Sequence, residues 1–459
     1  PSQKVSIKRT DAVKKSSDFL AQRGIEVDSF QTVAYISNGP TMSELRYVYQ
    51  QSGWLGIRQL YGVEKWEPLY YWKTRFIIPE QKNEYKIGIS PKGELYVFSH
   101  FLEESDSGNT IMQDSAFVLA KSLLRELDMS SVLNWELIEK SSIERPKRVD
   151  HTFMWQSLDS IGQAHKRLGV NVLGDEASIQ KRFIKRPEEW ERQDMKTTPL
   201  TIASDVLPIL LRAALILLVI MLFGKNVVRK EINFRVFIKV AVIALTFQII
   251  ASGNAMATFL RNYNTAIPMQ ILYITNGSII LVGIIFTAIA AAVSIGAFLG
   301  TRFRRKLYEK IPFSETLIIS AITILFLGGV IAVLRWLEIS LNMPLRNPTI
   351  ISQDMLDTYF PLLSIPAKLI QTLFVTVPVL FIAYSFLRKK IHSNGKFIAA
   401  IAFIAIIMAL GAGRSFCEIT WIICKNLIIL AAGWIAIKAL LKDNLPVYIA
   451  VICLAVPMQ

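Results

Sequence analysis

Cysteine is nearly missing from this chain. There are three in 459 residues, Cys417, Cys424 and Cys453, and all lie in the apolar C-terminal half. That excludes a disulfide framework, and no Cys/His spacing suits a zinc site. Histidine is almost as scarce, with His100, His151, His165 and His392, none inside an apolar run of spanning length. The chain also lacks H-E-x-x-H, G-x-S-x-G and any Walker-type glycine loop, so the common metallopeptidase, serine hydrolase and nucleotide-binding signatures are absent. Negative charge is short on one side of residue 204: residues 205–459 hold 9 Asp and Glu against 23 Lys and Arg, whereas residues 1–204 hold 27 against 28.

What the second half has instead is apolar length. Runs of helical size recur at 206–224, 236–252, 268–299, 314–334, 361–387, 397–413 and 416–437. About 20 residues of helix cross a hydrocarbon core, so seven spans are expected. A further run, 445–459, is only 15 residues long and reads as an incomplete eighth. The chain starts at Pro1 with neither an initiator Met nor an apolar export segment. Both ends therefore read as those of a fragment, the alternative being a processed N-terminus and an interfacial C-terminal segment.

The cations alternate between loops. Lys225, Arg229, Lys230 and Arg235 form one group, and Arg302, Arg304, Arg305, Lys306 and Lys310 a second. Arg388, Lys389, Lys390 and Lys396 form a third, followed by Lys438 and Lys442. The intervening loops hold Arg261, then Arg335 and Arg346, then Arg414. By the positive-inside rule the rich loops face the cytoplasm, which puts residues 1–204 outside it. The basic balance thus reflects topology in a lipid bilayer, and a nucleic-acid partner is not expected.

The first 204 residues divide into two similar units, 1–105 and 106–204, ahead of the membrane region 205–459. In the first, a helical pattern over 11–23 stops at Gly24, and a β-rich stretch follows at 30–36. A helix near 41–51 precedes strands at 70–76, 84–89 and 94–99, the last two flanking Pro91-Lys92-Gly93. In the second, an apolar stripe of Ala116, Leu119, Leu123, Leu124 and Leu127 marks a helix at 113–127. Strands follow at 135–140, 151–155, 167–173 and 178–184. The expected fold class is an α+β extracytoplasmic domain, two helix-plus-antiparallel-sheet units, followed by an all-α polytopic transmembrane bundle.

Such helix-then-hairpin units resemble the PepSY and YpeB-like domains of bacterial extracytoplasmic proteins. The stretch Y-Y-W-K-T-R-F-I-I-P-E-Q-K-N-E-Y-K-I-G-I-S-P-K-G-E-L, with R-V-D-H-T-F-M-W and the G-D-E…F-I-K-R-P-E-E-W ending, is more particular. It resembles the outer domain of some bacterial CPBP-type membrane proteins, intramembrane metalloproteases related to CAAX prenyl endopeptidases. The resemblance covers roughly 1–200 by motif and 205–459 by layout alone. It implies a bacterial cytoplasmic membrane protein whose outer domain recognises or restrains a peptide or membrane-protein substrate. It also implies a divalent, zinc-like metal, held by a protease core carrying E-E-x-x-x-R, F-x-x-x-H and H-x-x-x-N/D.

Those motifs are not in this sequence. Glu103-Glu104 has no Arg in register, and after Glu188-Glu189 the Arg comes one residue early, at Arg192. No histidine has Phe four residues before it, or Asn or Asp four after. The chain offers no catalytic, cofactor-binding or metal-ligating set of its own, and a protease core would lie past Gln459. The competing readings are a non-enzymatic sensor or scaffold with an envelope-facing domain, and a transporter. The first would continue into a cytoplasmic output domain, the second into more polar spans.

A few polar residues stand out against that background. Arg414, Glu418, Lys425 and Asn426 can line one face of a span as a polar seam, or form a structural pair with a rim residue that snorkels. Arg212 and Lys368 lie inside spans, where snorkelling and pairing are equally open. Trp72, Trp135 and Trp155 are candidates for a peptide-binding face or for sheet packing. Asp150-His151 offers an acid–base pair or a structural hydrogen bond, and Arg145, Lys147 and Arg148 a solvated basic loop. Ala288, Ala292, Gly296 and Gly300 recur every four residues, a seam for close helix packing.

Overall fold

The computed structural model describes residues 6–63, 66–299, 312–343, 357–410, 416–441 and 444–455. The chain divides into two compact units. One comprises residues up to Lys196 together with Ala255–Gly277 and the segment ending at Tyr359; the other holds the remainder.

In the first unit, α1 (Arg9–Gln22) precedes a four-stranded antiparallel sheet in the order β1 (Gln31–Asn38), β2 (Tyr70–Ile77), β3 (Glu84–Ile89), β4 (Leu95–Phe101). Helix α1 buries Ala12, Ser16, Phe19 and Leu20, the i, i+4, i+7, i+8 stripe of a helix lying on a sheet. Ser16 Oγ donates to the Ala12 carbonyl (2.8 Å) and shares a hydrogen bond with the Thr74 hydroxyl (3.2 Å), so a buried hydroxyl under the sheet is satisfied twice. Between β1 and β2 runs α2 (Met42–Arg58), longer than the stretch expected at 41–51. Gly53, at φ +60°, turns the chain there and a further helical turn begins beyond it.

The second half of the unit repeats the plan. Helix α3 (Gln113–Glu126) is followed by β5 (Glu136–Arg145), β6 (Arg148–Ile161), β7 (Ala164–Leu173) and β8 (Glu176–Lys185), a four-stranded antiparallel meander. Ala116, Ala120, Leu123 and Leu124 form the buried stripe of α3. Phe153, Trp155, Leu168, Val170 and Val172 alternate into the core, the period of two that marks a sheet with one buried face. A short α4 (Glu188–Met195) ends the domain.

The two sheets are joined through α2. Thr41 and Glu44 make a reciprocal capping box, the Glu44 carboxylate accepting the Thr41 N–H at 2.7 Å. Its other oxygen accepts the N–H of Ile184 on β8 at 2.8 Å. The Tyr47 hydroxyl accepts from Gln163 N–H (3.1 Å), and Arg46 pairs with Asp194 beyond β8. Ser99 on β4 donates to the Ile179 carbonyl on β8 at 2.7 Å.

The other unit is helical. The chain contains α5 (Pro199–Val228), α6 (Phe234–Ala255), α7 (Met269–Leu299), α8 (Phe313–Ser340), α9 (Pro361–Gln371) running through a π turn into α10 (Val377–Lys390), α11 (Asn394–Leu410), α12 (Phe416–Ile435) and α13 (Leu445–Ala455). Among the described residues, six stretches are long and apolar enough to cross a membrane: Thr201–Val228, Phe234–Thr258, Met269–Leu299, Phe313–Ser340, Pro361–Lys390 and Phe416–Leu441. The span expected at 397–413 is α11, 17 residues long, and the run from 445 is the 11-residue α13. Residues 411–413 of the first run and 456–459 of the second lie outside the described residues.

Small residues set the packing here. Ala288 and Ala292 are buried on α7, and a Cβ on Gly296 would meet the Phe223 ring of α5 at 2.8 Å. Asn226 Nδ2 caps the carbonyls of Gly296 (3.2 Å) and Ala297 (3.1 Å), a close approach that the glycine permits. Gly300, the last member of the expected seam, lies outside the described residues.

Candidate functional site

The most heavily bonded polar cluster of the first unit centres on Arg75 in β2. It lies opposite Lys86, with Glu84 two positions along β3 on the same face, and the Arg75 and Glu84 side chains are about 8% exposed. The guanidinium Nε pairs with the Glu84 carboxylate, whose second oxygen takes Lys86 at 3.2 Å. Its remaining nitrogens donate to backbone: Nη1 to the carbonyls of Leu260 (3.1 Å) and Arg261 (2.6 Å), and Nη2 to Tyr263 (3.0 Å). A planar fork suits such convergent carbonyls, and this one binds the 260–263 loop that joins α6 to α7.

A second ligature lies at β1, the edge strand of the same sheet. Asp357 Oδ1 accepts the N–H of Ile36 (2.7 Å), and Oδ2 accepts from Arg261 Nη1 (2.7 Å). Arg261, itself partly exposed, sits over the Tyr35 ring, 4.8 Å from its centroid, a cation–π contact. Ile77, Tyr263 and Met269 form a small buried cluster behind these bonds. Burial pushes the Tyr35 hydroxyl above its ordinary pKa and the Lys73 ammonium, beside Lys86, below its own. Together these residues form a clasp. Two chain segments that lead directly into membrane-length helices are built into the fold of the first sheet.

Within the helical unit the polar seam is arranged differently from a single-helix stripe. Lys425 Nζ pairs with Glu338 Oε1 of α8 at 2.6 Å, and the Trp421 indole N–H donates to the same oxygen at 3.2 Å. Glu418 is buried on α12 and Asn426 half-buried, while Arg414 lies outside the described residues. Glu338 is not among the residues of the expected seam, which lie on one helix. Its signal was present: α8 carries one carboxylate in its first turn, Glu315, and Glu338 near its far end.

Other candidates are structural. Trp72 and Trp155 are buried, the former donating to the Ile7 carbonyl at 3.2 Å, and Trp135 is half-buried. Asp150 and His151 point to different partners: Asp150 takes Arg148 (2.8 Å) and Arg145 (3.2 Å), His151 meets Ser142 (2.8 Å) and the Ile111 carbonyl (3.0 Å). Arg148 is not in a solvated loop but 3% exposed, and it also caps the carbonyls of Glu103 (2.7 Å) and Asp106 (2.8 Å). Glu103 and Glu104 pair with Lys82 (3.0 Å) and Arg145 (2.7 Å), and Glu188 lies 4.0 Å from Arg192. Arg212 and Lys368 are exposed on their helices.

The family resemblance implies a metal, and the donor set was weighed against it. Among the described residues no three of His, Cys, Asp and Glu converge as ion ligands. His100 is taken by Glu176 and Asn83, and His165 by the Ser157 carbonyl (3.0 Å). The described residues do not fit a metal centre. No protein-family model matches the chain, and no curated protein or solved structure is significantly similar to it.

Proposed function

We propose that this is a multi-pass protein of a bacterial cytoplasmic membrane whose N-terminal domain, two PepSY-like units outside the cytoplasm, recognises a peptide or membrane-protein substrate and conveys that state to the spans. The observation that carries this reading is the clasp: Arg75 and Asp357 build the segments flanking α7 and α9 into the recognition domain. A change at that sheet is therefore covalently close to two helices. The cation-poor loop holding Arg261 belongs to the N-terminal unit, whereas Lys225, Arg388, Lys389 and Lys390 belong to the other, which supports the outward orientation.

The activity such recognition would serve, by resemblance to CPBP proteins, is intramembrane proteolysis, with this chain presenting or restraining the substrate. A sensor or scaffold without proteolysis uses the same clasp equally well. Alkaline phosphatase is active only where its disulfides form, outside the cytoplasm. Fused after Asn264 or Tyr359 it should be active, and after Lys230 or Lys390 inactive. The opposite pattern rejects the orientation. Hydrogen exchange on the full chain then tests conveyance: Arg75→Gln should loosen the first turns of α7 as well as β2 and β3. Loosening confined to the strands would reject it.

A further inference from the structure

The recognition domain contains a cleft of about 510 Å³ that the clasp does not use. Tyr61, Trp66 and Tyr96 line it from the first half of the domain, Trp135, Lys166 and Arg182 from the second. Its size falls in the range of small-molecule sites, ~300–1,000 Å³. The Trp66 and Trp135 rings lie with centroids 5.3 Å apart, tilted by 36°. The Arg182 guanidinium lies over Trp66 (5.2 Å) and Tyr96 (4.2 Å).

The hydrogen-bond accounting of this cleft does not close. Arg182 Nη1 donates to the Trp66 carbonyl (2.7 Å), but Nη2 meets only the Met129 thioether, a weak acceptor. Arg182 Nε, the Trp66 indole N–H and the Tyr61 hydroxyl are buried with no partner among the described residues. Tyr61 is 2% and Trp66 8% exposed, and buried donors left unpaired are rare in native proteins. Indole and guanidinium groups donate and cannot accept, so the missing partner must bring acceptor oxygens. Among the described residues no carboxylate hydrogen-bonds Arg182, although its charge acts on buried Glu67. A carboxylate supplies both the oxygens and the charge. The lining balances Lys92, Lys166 and Arg182 against Glu94, Glu126 and Asp128, which suits a ligand carrying both signs better than a multiply charged anion.

We propose that the cleft binds an amino-acid zwitterion, either a free amino acid or a short peptide with open ends, that carries an apolar side chain. The carboxylate meets Arg182 and the unpaired donors, the side chain lies against the Trp66–Trp135 pair, and the ammonium faces Glu94 and Asp128. The proposal rests on reading the N-terminal unit as a recognition domain and supplies its ligand class.

Calorimetric titration of the full chain in detergent micelles tests it, with Leu-Phe dipeptide, its C-terminal amide, its N-acetyl form, free phenylalanine and inorganic phosphate as probes. The open dipeptide or free phenylalanine should bind saturably, and which of them does so identifies the source. Amidation should weaken binding by about ten- to a hundred-fold, because it removes a charge-assisted hydrogen-bonding pair. Arg182→Gln should do the same, and Lys166→Gln, on a half-exposed side chain, less. The amide comparison needs no variant to fold. Equal binding of acid and amide, competition by phosphate, or no heat with any probe to millimolar concentration would overturn the proposal. Phosphatase fusions report separately on orientation, so a silent titration with active fusions after Asn264 rejects the cleft alone.

Discussion

The two units of this chain handle buried polarity in opposite ways. The sheet domain buries many charges and surrounds each with several partners: Arg75 has a carboxylate and three carbonyls, Arg148 a carboxylate and two carbonyls. The helical unit uses few charges and binds its helices through small residues, with Glu338 pairing with Lys425 and accepting from the Trp421 indole. The difference follows from the solvent. A water-exposed domain can draw an arginine under a loop because loop carbonyls need donors anyway. A membrane helix satisfies its own carbonyls, so an intramembrane charge has only other side chains to turn to.

The sharpest test of the first half of that contrast is a charge the sheet domain fails to support. Glu67 is 6% exposed and accepts from the Tyr96 hydroxyl at 3.0 Å. Burial, then repulsion from Glu44, lifts its carboxyl from an ordinary 4.5 to about 8, against the opposing pull of Arg182 and the Tyr96 hydrogen bond. The folded state thus keeps a proton that the unfolded chain releases near 4.5. Glu67's contribution to stability is full below that pH and is lost as pH rises through about 8. A shift of this size corresponds to about 5 kcal/mol at most. Glu67→Gln should flatten domain stability between pH 5 and 8, measured by chemical denaturation of the full chain. A variant as pH-sensitive as the wild type would remove Glu67 from the account.

Arg75 comes next. Removing it leaves Glu84 buried with Lys86 alone and strips the donors from three loop carbonyls. Losing one partner of a buried pair costs about 3–5 kcal/mol. Arg75→Ala should therefore raise hydrogen exchange in β2, β3 and residues 258–268 together. Raised exchange in the loop alone would mean that the clasp contributes little to the sheet.

How much of this was legible beforehand depends on the reach of each interaction. The eight strands could be read because sheet alternation is local, and Pro91-Lys92-Gly93 marks its own turn. The apolar runs mark the membrane-length helices, and of the run at 397–413 the described part is α11, which ends at Leu410. The clasp could not be read. Arg75 binds main-chain carbonyls 185 to 188 positions away, and any residue type supplies a carbonyl. Lys425 was legible as a charge in an apolar run, but its partner 87 positions back was not, since the reading tested spacings along one helix. The cleft was invisible for a related reason. Trp135 stood out by type, whereas the unpaired donors beside it emerge only when both halves of the domain are folded.

The helical unit should respond less to loss of charge, because a long side chain there can reach for water. Lys425→Met leaves Glu338 with Trp421, and intramembrane polar contacts of this kind are worth about 0.6–2 kcal/mol. Pairing Lys425→Met with Glu338→Gln should recover most of the loss in detergent unfolding titrations. A double variant no better than the single one would mean that Glu338 has a role beyond the pair.

The smallest expected changes separate packing from charge within the same helix. Gly283 and Gly296 both lie on α7, and an added Cβ meets nothing within 4 Å at the first but the Phe223 ring at 2.8 and 2.9 Å at the second. Gly283→Ala should be neutral or stabilising by up to about 1 kcal/mol, since alanine restricts the unfolded backbone. Gly296→Ala forces the ring aside, and overpacking of this kind costs about 1–3 kcal/mol. Asn226 donates to the Gly296 carbonyl from the same helix as Phe223, so moving the ring also lengthens that bond. Unfolding titrations of the two variants should thus differ in sign. If both behave alike, close approach at Gly296 is not what joins α5 to α7, and the contrast between a charge-clasped domain and a small-residue bundle loses its second half.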